Sequence, residues 1–176
     1  VLRIATIGVY EFDAGHFVDT LDGAGVTKVI DIRQRRGVRG SQYAWANARR
    51  LQALLSDARI GYEHHPEFAP DTELRHLQYR EDDRQGVGKR SRVALAPEYV
   101  RQYTEEILDL VPLEPLIGRL PVHGIGALMC VEAGPDACHR SLVARRIAER
   151  FGFEILDLGP DSGQVRGTVQ DPSPDR

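Results

Sequence analysis

Cysteine is nearly missing from this chain: Cys130 and Cys138, eight positions apart, are the whole supply. Two thiols cannot make a disulfide framework, so a reducing cytoplasm is the expected location. No Cys-x-x-Cys pair occurs, which removes the commonest zinc signature. No apolar run approaches a membrane span and no secretory leader is recognisable before the first strand, so a soluble protein with no membrane partner is expected. Positive charge is not in excess either. The net charge of −3 and the modest 7% aromatic content disfavour a surface that holds nucleic acid by protein-wide electrostatics or by interleaved stacking.

What is present suits one globular domain, with 41% of the 176 residues apolar. Leu2 to Ile7 reads as a strand closed by Gly8. Phe12, His16, Phe17 and Leu21 then recur at helical spacing behind Asp13, a plausible cap, and Thr27 to Ile32 reads as a second, β-branched strand. Strand, helix and strand within thirty residues form a βαβ unit, so the first two strands should be parallel. Ala44 to Ala58 has the pattern of a helix, Ile60 to His65 of a short strand, and Pro97 to Leu110 of another helix stopped by Pro112. The expected architecture is a mostly parallel sheet of about five strands flanked by helices, a single α/β domain over residues 1–158. Residues 66–96, charged and carrying Gly86-Val87-Gly88, read as an insertion or lid whose charges solvate a surface. The Gly-, Asp-, Pro- and Ser-rich stretch 159–176 reads as a flexible tail.

The richest fifteen residues run from Ala127 to Ser141. An apolar strand to Val131 meets a Gly134-Pro135-Asp136 loop, and a helix begins near Cys138. That order places the loop at the carboxyl end of a strand, where α/β sheets bind ligands. Cys138 at a helix start, beside His139 and Arg140, has the surroundings that lower a thiol pKa. Cys130, inside the apolar run, reads as core. A structural account stays open: Asp136 could cap the helix and Glu132 could pair with Arg140. The second concentration of charge is Arg33 to Gly40, with four arginines and two glycines in eight residues at a strand end. Guanidinium forks on a Gly-containing loop suit phosphate, or else they pair with Asp31 and other surface acids.

The motifs Thr6-Ile7-Gly8, Asp31-Ile32-Arg33, Gly61-Tyr62-Glu63-His64, Cys130-Val131-Glu132 and Cys138-His139-Arg140 together resemble a bacterial family, the domain of unknown function 488. The resemblance runs from Ile4 to Leu158. It departs after Arg33, where the family carries a proline and this chain has Gln34-Arg35-Arg36-Gly37, and again at Glu67-Phe68-Ala69-Pro70, where glycines are usual. The family name assigns no activity. Rhodanese-type sulfur transferases are similar more distantly, through Arg140-Ser141 and Gly152-Phe153. Their thiol lies about six positions before the arginine, whereas Cys130 and Arg140 are ten apart.

Together these readings point first to an enzyme with an anionic substrate, phosphate-bearing or derived from a nucleotide or nucleic acid. Glu132, Cys138 and His139 are the candidate catalytic residues; Asp31, Arg33, Arg36, Tyr62, His64 and Arg140 are the candidate substrate contacts. A second reading is a zinc or iron site made of Cys138, His139 and Glu132, with His64 as a further ligand. Adjacent Cys138 and His139 would then need an unusual backbone to reach one ion. A non-catalytic nucleic-acid module is the third. No cofactor is specified by the sequence, nor is the oligomeric state.

Overall fold

The computed structural model describes residues 1–162. Its five strands are β1 (Arg3–Ile7), β2 (Val26–Asp31), β3 (Gly61–His64), β4 (Ile125–Met129) and β5 (Glu154–Leu158). Among the described residues they form one sheet, ordered β3-β2-β4-β1-β5, with every neighbouring pair parallel. β4 is therefore central and separates the first two strands of the chain. A parallel sheet needs a crossover between strands, which is why helices cover both faces.

Side chains alternate across the pleat and sort into two cores. Ala5, Ile7, Val29, Ala127 and Met129 face one way, against Phe17 and Leu21 of α1 (Ala14–Gly23) and Leu51 and Leu55 of α2 (Ala48–Asp57). Ile4, Ile30 and Leu128 face the other way. They meet Leu74 of α3 (Thr72–Gln85), Tyr99 and Tyr103 of α4 (Pro97–Tyr103), and Val143 and Ile147 of α6 (His139–Phe151). Each large apolar side chain so buried contributes about 1.5–3 kcal/mol. A short α5 (Glu114–Arg119) precedes β4. No described helix is long and apolar enough to cross a membrane.

Capping agrees with the sequence where side chains dictate it. The Asp13 carboxylate accepts from the His16 amide at 2.8 Å and starts α1, and Gly152, with φ of 73°, ends α6 in the left-handed conformation. Three expectations need correction. The helix expected over 44–58 divides at Asn47, whose backbone is extended and whose Oδ1 accepts from the Val38 amide at 2.8 Å; a 3-10 helix (Ser41–Ala46) precedes α2. The strand expected to reach Val131 ends at Met129, so Cys130 lies beyond it, at the sheet edge. Not all the charge of segment 66–96 solvates a surface. Asp71 caps α3 through Leu74 N, and the buried Gln78 and Asp82 hydrogen-bond to each other, Gln78 also accepting from Ala96 N at 2.8 Å. Polar burial replaced the apolar stripe that would have announced this helix. The tail expected from Gly159 begins with a turn through Ser162, and residues 163–176 lie outside the described residues.

Candidate functional site

The carboxyl ends of β1, β2 and β4 open on one edge of the sheet, facing the start of α6. Gly8 lets them close up, because a side chain there would run into the Glu132 carbonyl. The chain just after β4 folds back over β1: Cys130 N donates to Ile7 O at 3.2 Å, and Val131 O accepts from Val9 N and Tyr10 N. Cys130 and Glu132, two apart, are thereby turned towards the first residues of α6.

Four reactive groups meet there. His139 Nδ1 is 3.8 Å from Cys130 Sγ and 3.9 Å from Cys138 Sγ, and the Cys130 thiol donates to Glu132 Oε2 at 3.5 Å. His139 Nε2 is 3.2 Å from the Ile32 carbonyl, which can only accept. The Nε2 proton is therefore fixed, and in the neutral ring the Nδ1 lone pair faces both sulfurs. The ring also packs 5.6 Å from Tyr103. Both thiols are buried, Cys138 at 1% exposure and Cys130 at 5%. Burial alone would push the Cys138 thiol up, but the Cys130 thiol, His139 and the Arg140 charge together hold it well below its ordinary value. Cys130 shifts upward because Cys138 and burial both favour its protonated form. Burial and the Cys138 sulfur also raise Glu132. His139 is pushed down by burial, yet the neighbouring Cys138 thiolate outweighs this and raises it.

In front of this cluster lies a cavity of about 510 Å³. Cys130, Glu132 and His139 form its floor, whereas Cys138 and Arg140 sit behind the wall. The expected accessible nucleophile Cys138 is thus shut away by Cys130 and His139. The other wall comes from the segment after α3. Lys89 Nζ and Arg92 Nη1 stand 3.6 and 3.5 Å from Glu132 Oε1, and Arg92 also pairs with Asp82 at 2.5 Å. Burial would lower the Lys89 pKa, but Glu132 and Cys130 raise it overall, so it stays charged. Arg90 lies 5.4 Å over the rings of both Tyr10 and Tyr43 and donates to Arg39 O, fastening this segment to the loop after β2.

Most of the expected substrate contacts are braces. Arg33 is 2% exposed; its Nε and Nη2 donate to the two Asp31 oxygens at 2.9 and 2.8 Å, and its Nη1 donates to Ala46 O. Tyr62 donates to Asp31 Oδ2 at 2.7 Å and accepts weakly from Arg36, while His64 Nε2 donates to Arg33 O at 2.7 Å. Burial, with Asp31 beside it, pushes the Tyr62 phenol up to about 12. Arg140 does not pair with the Glu132 carboxylate. Its guanidinium donates to the Glu132 and Ala133 carbonyls at 2.5 and 2.9 Å and to Thr6 Oγ1 at 3.3 Å. Of the nine expected site residues, Arg33, Glu132 and His139 line the cavity, and Asp31, Arg36, Tyr62, His64, Cys138 and Arg140 do not. Sequence reasoning missed Cys130, Lys89, Arg75 and Arg92. For Cys130 the one signal was its spacing of two from Glu132, which the apolar run before it masked. Lys89 and Arg92 carry no local signal.

Comparison with curated proteins and with solved structures gives no significant match. The model of one family, the domain of unknown function DUF488, aligns with residues 13–147, which include Asp31-Ile32-Arg33, Cys130-Val131-Glu132 and Cys138-His139-Arg140. The residues that build this sheet edge are, apart from those of β1 and the loop after it (Thr6 to Tyr10), inside that match, and the chain belongs to the DUF488 family.

Proposed function

We propose that this protein is an enzyme that acts on an anionic, phosphate-bearing substrate, such as a nucleotide or a nucleic-acid-derived fragment. The observation that carries the reading is a charge imbalance. In a chain of net charge −3, the cavity is walled by Arg33, Arg35, Arg39, Arg75, Lys89 and Arg92, against Glu132 as the one carboxylate among the described residues that line it. Arg33 and Arg92 are neutralised by Asp31 and Asp82. With Lys89 set against Glu132 at 3.6 Å, Arg35, Arg39 and Arg75 are left in excess, and together with the partly exposed Lys89 ammonium they line the space an anion would fill, where a concave site concentrates their field. Glu132, on the floor and in contact with the Cys130 thiol, is the group placed to exchange a proton with a bound substrate. Cys138, behind the wall, has no line of attack and acts through His139 and Cys130.

Calorimetric titration with pyrophosphate and mononucleotides tests this. The wild-type chain should bind them, and Arg75→Ala or Lys89→Ala should each weaken binding about ten- to a hundredfold, the equivalent of one charge-assisted contact of roughly 1.5–3 kcal/mol. No binding by the wild type, or binding by both variants as tight as by the wild type, would sink the reading. Tight binding of single-stranded oligonucleotides, with no turnover of any phosphate ester, would favour the nucleic-acid module instead.

A further inference from the structure

We propose that Cys130, Cys138 and His139 form a binding site for a thiophilic divalent cation, zinc being the best fit, with three protein ligands and a fourth position open to the cavity. This deepens the reading of the cavity as an enzyme's substrate site and rests on it for the use of the open position, while the ligand geometry stands independently. The two sulfurs and Nδ1 all lie within 4.8 Å of one another. Zinc bonds of about 2.3 Å to sulfur and about 2.0–2.1 Å to imidazole nitrogen set tetrahedral S···N edges at roughly 3.5 Å. The edges here are 3.8 and 3.9 Å, so side-chain movements of a few tenths of an ångström would seat the ion.

Three further features argue for a ligand set over a chance meeting of thiols. First, the Ile32 carbonyl holds the Nε2 proton at 3.2 Å, which is how metal-binding imidazoles are oriented from behind. Second, the obstacle raised by adjacent ligands disappears in the backbone. Cys138 is extended, with φ −140° and ψ 143°, and His139 opens α6, so the change of conformation between them brings neighbouring side chains to the same point. Third, the charges balance. Two thiolates neutralise a divalent ion, and binding releases whatever protons the two thiols and Nδ1 carry. The nearby cations Lys89 and Arg92 are offset by Glu132 and Asp82. Cys130, His139 and Glu132 all line the cavity, so the vacant side of the ion would look onto the bound anion with Glu132 beside it. Three protein ligands with one position left open is the arrangement of catalytic zinc.

The test uses the full chain, purified without chelator in a phosphine reductant, with zinc and iron measured by elemental analysis. The metal-free chain is then titrated with cobalt(II) chloride. We expect about one ion per chain, displaceable by cobalt, with a sulfur-to-cobalt charge-transfer band and the intense visible bands of tetrahedral coordination. In Cys130→Ser the charge-transfer intensity should fall by about half. Should that variant or Cys138→Ser fail to fold, the wild-type cobalt spectrum decides alone. An octahedral spectrum without a charge-transfer band overturns the proposal, as does a Cys130–Cys138 disulfide that re-forms in the wild type in place of metal binding. Pyrophosphate binding by the metal-free chain separates the two readings: if it persists without cobalt coordination, the metal site is wrong and the anion site stands.

Discussion

Two strand ends at the same sheet edge have the same ingredients and opposite fates. At the end of β2, Asp31 and Arg33 hold each other in a two-oxygen fork, and Tyr62, His64 and Ala46 take up the remaining donors and acceptors. At the end of β4, Arg140 is turned away from the acid and onto main-chain carbonyls, so Glu132 meets both thiols and His139 on one side and Lys89 and Arg92, at 3.6 and 3.5 Å, on the other. A buried arginine beside a matched carboxylate closes a site. A buried arginine that carbonyls can satisfy leaves the acid at the cavity, where longer contacts to Lys89 and Arg92 hold it. The contrast shows that an arginine at a strand end does not identify an anion site until its acceptors are known.

The largest expected effect breaks the closed end. Asp31→Ala leaves the Arg33 charge buried without a counterion and should cost about 3–5 kcal/mol, lowering the melting temperature by roughly 10 °C in calorimetry. An unchanged melting temperature with lost pyrophosphate affinity would make β2 the binding end and reverse the comparison. Next, Lys89→Ala should cut pyrophosphate affinity by the ten- to hundredfold stated above, with stability changed by less than about 1 kcal/mol, because that ammonium serves the open end.

A smaller effect extends the braced region to β3. Burial would raise the Glu63 carboxyl, but hydrogen bonds from Lys28, His65 and Arg119 outweigh it and hold it at about 2. Its folded value lies below its ordinary one of 4.5, so it contributes stability above pH 4.5 that is lost as pH falls towards 2. Glu63→Gln should flatten this acid limb by on the order of 1–2 kcal/mol in urea melts between pH 2 and 6, the partly exposed network being weakened by solvent screening. The smallest effect sets the baseline. Arg101→Ala, among exposed Glu98 and Glu105, should leave the calorimetric melting temperature unchanged, because solvent screens these ion pairs.

The layered α/β fold was legible because Ile4, Ile7, Val29, Ile30 and Leu128 are apolar at strand spacing and Asp13 marks a helix start. The meeting of Asp31-Ile32-Arg33 with Cys138-His139-Arg140 at one edge followed from parallel strands alone. Which side chains face the cavity did not follow. Cys130 had the look of core because strand periodicity says nothing about where a strand stops. Arg92 had the look of surface because its partner Asp82 is buried on α3, a helix with little apolar face. Arg140 had the look of an anion ligand because main-chain carbonyls of a loop are invisible in sequence.

The position of β4 also bears on how the molecule comes into being. β1 emerges first from the ribosome, yet both its neighbours, β4 and β5, are made more than a hundred residues later. Until residue 125 has been synthesised, β1 has no strand to pair with, and β2 has only β3. The sheet therefore assembles through contacts far apart in sequence, which slows folding and leaves apolar strand edges uncovered in the nascent chain. The segment that delivers Cys130, Glu132 and Cys138 follows directly on β4, so the strand that joins β1 to β2 and the residues that furnish the reactive edge arrive in one stretch of translation.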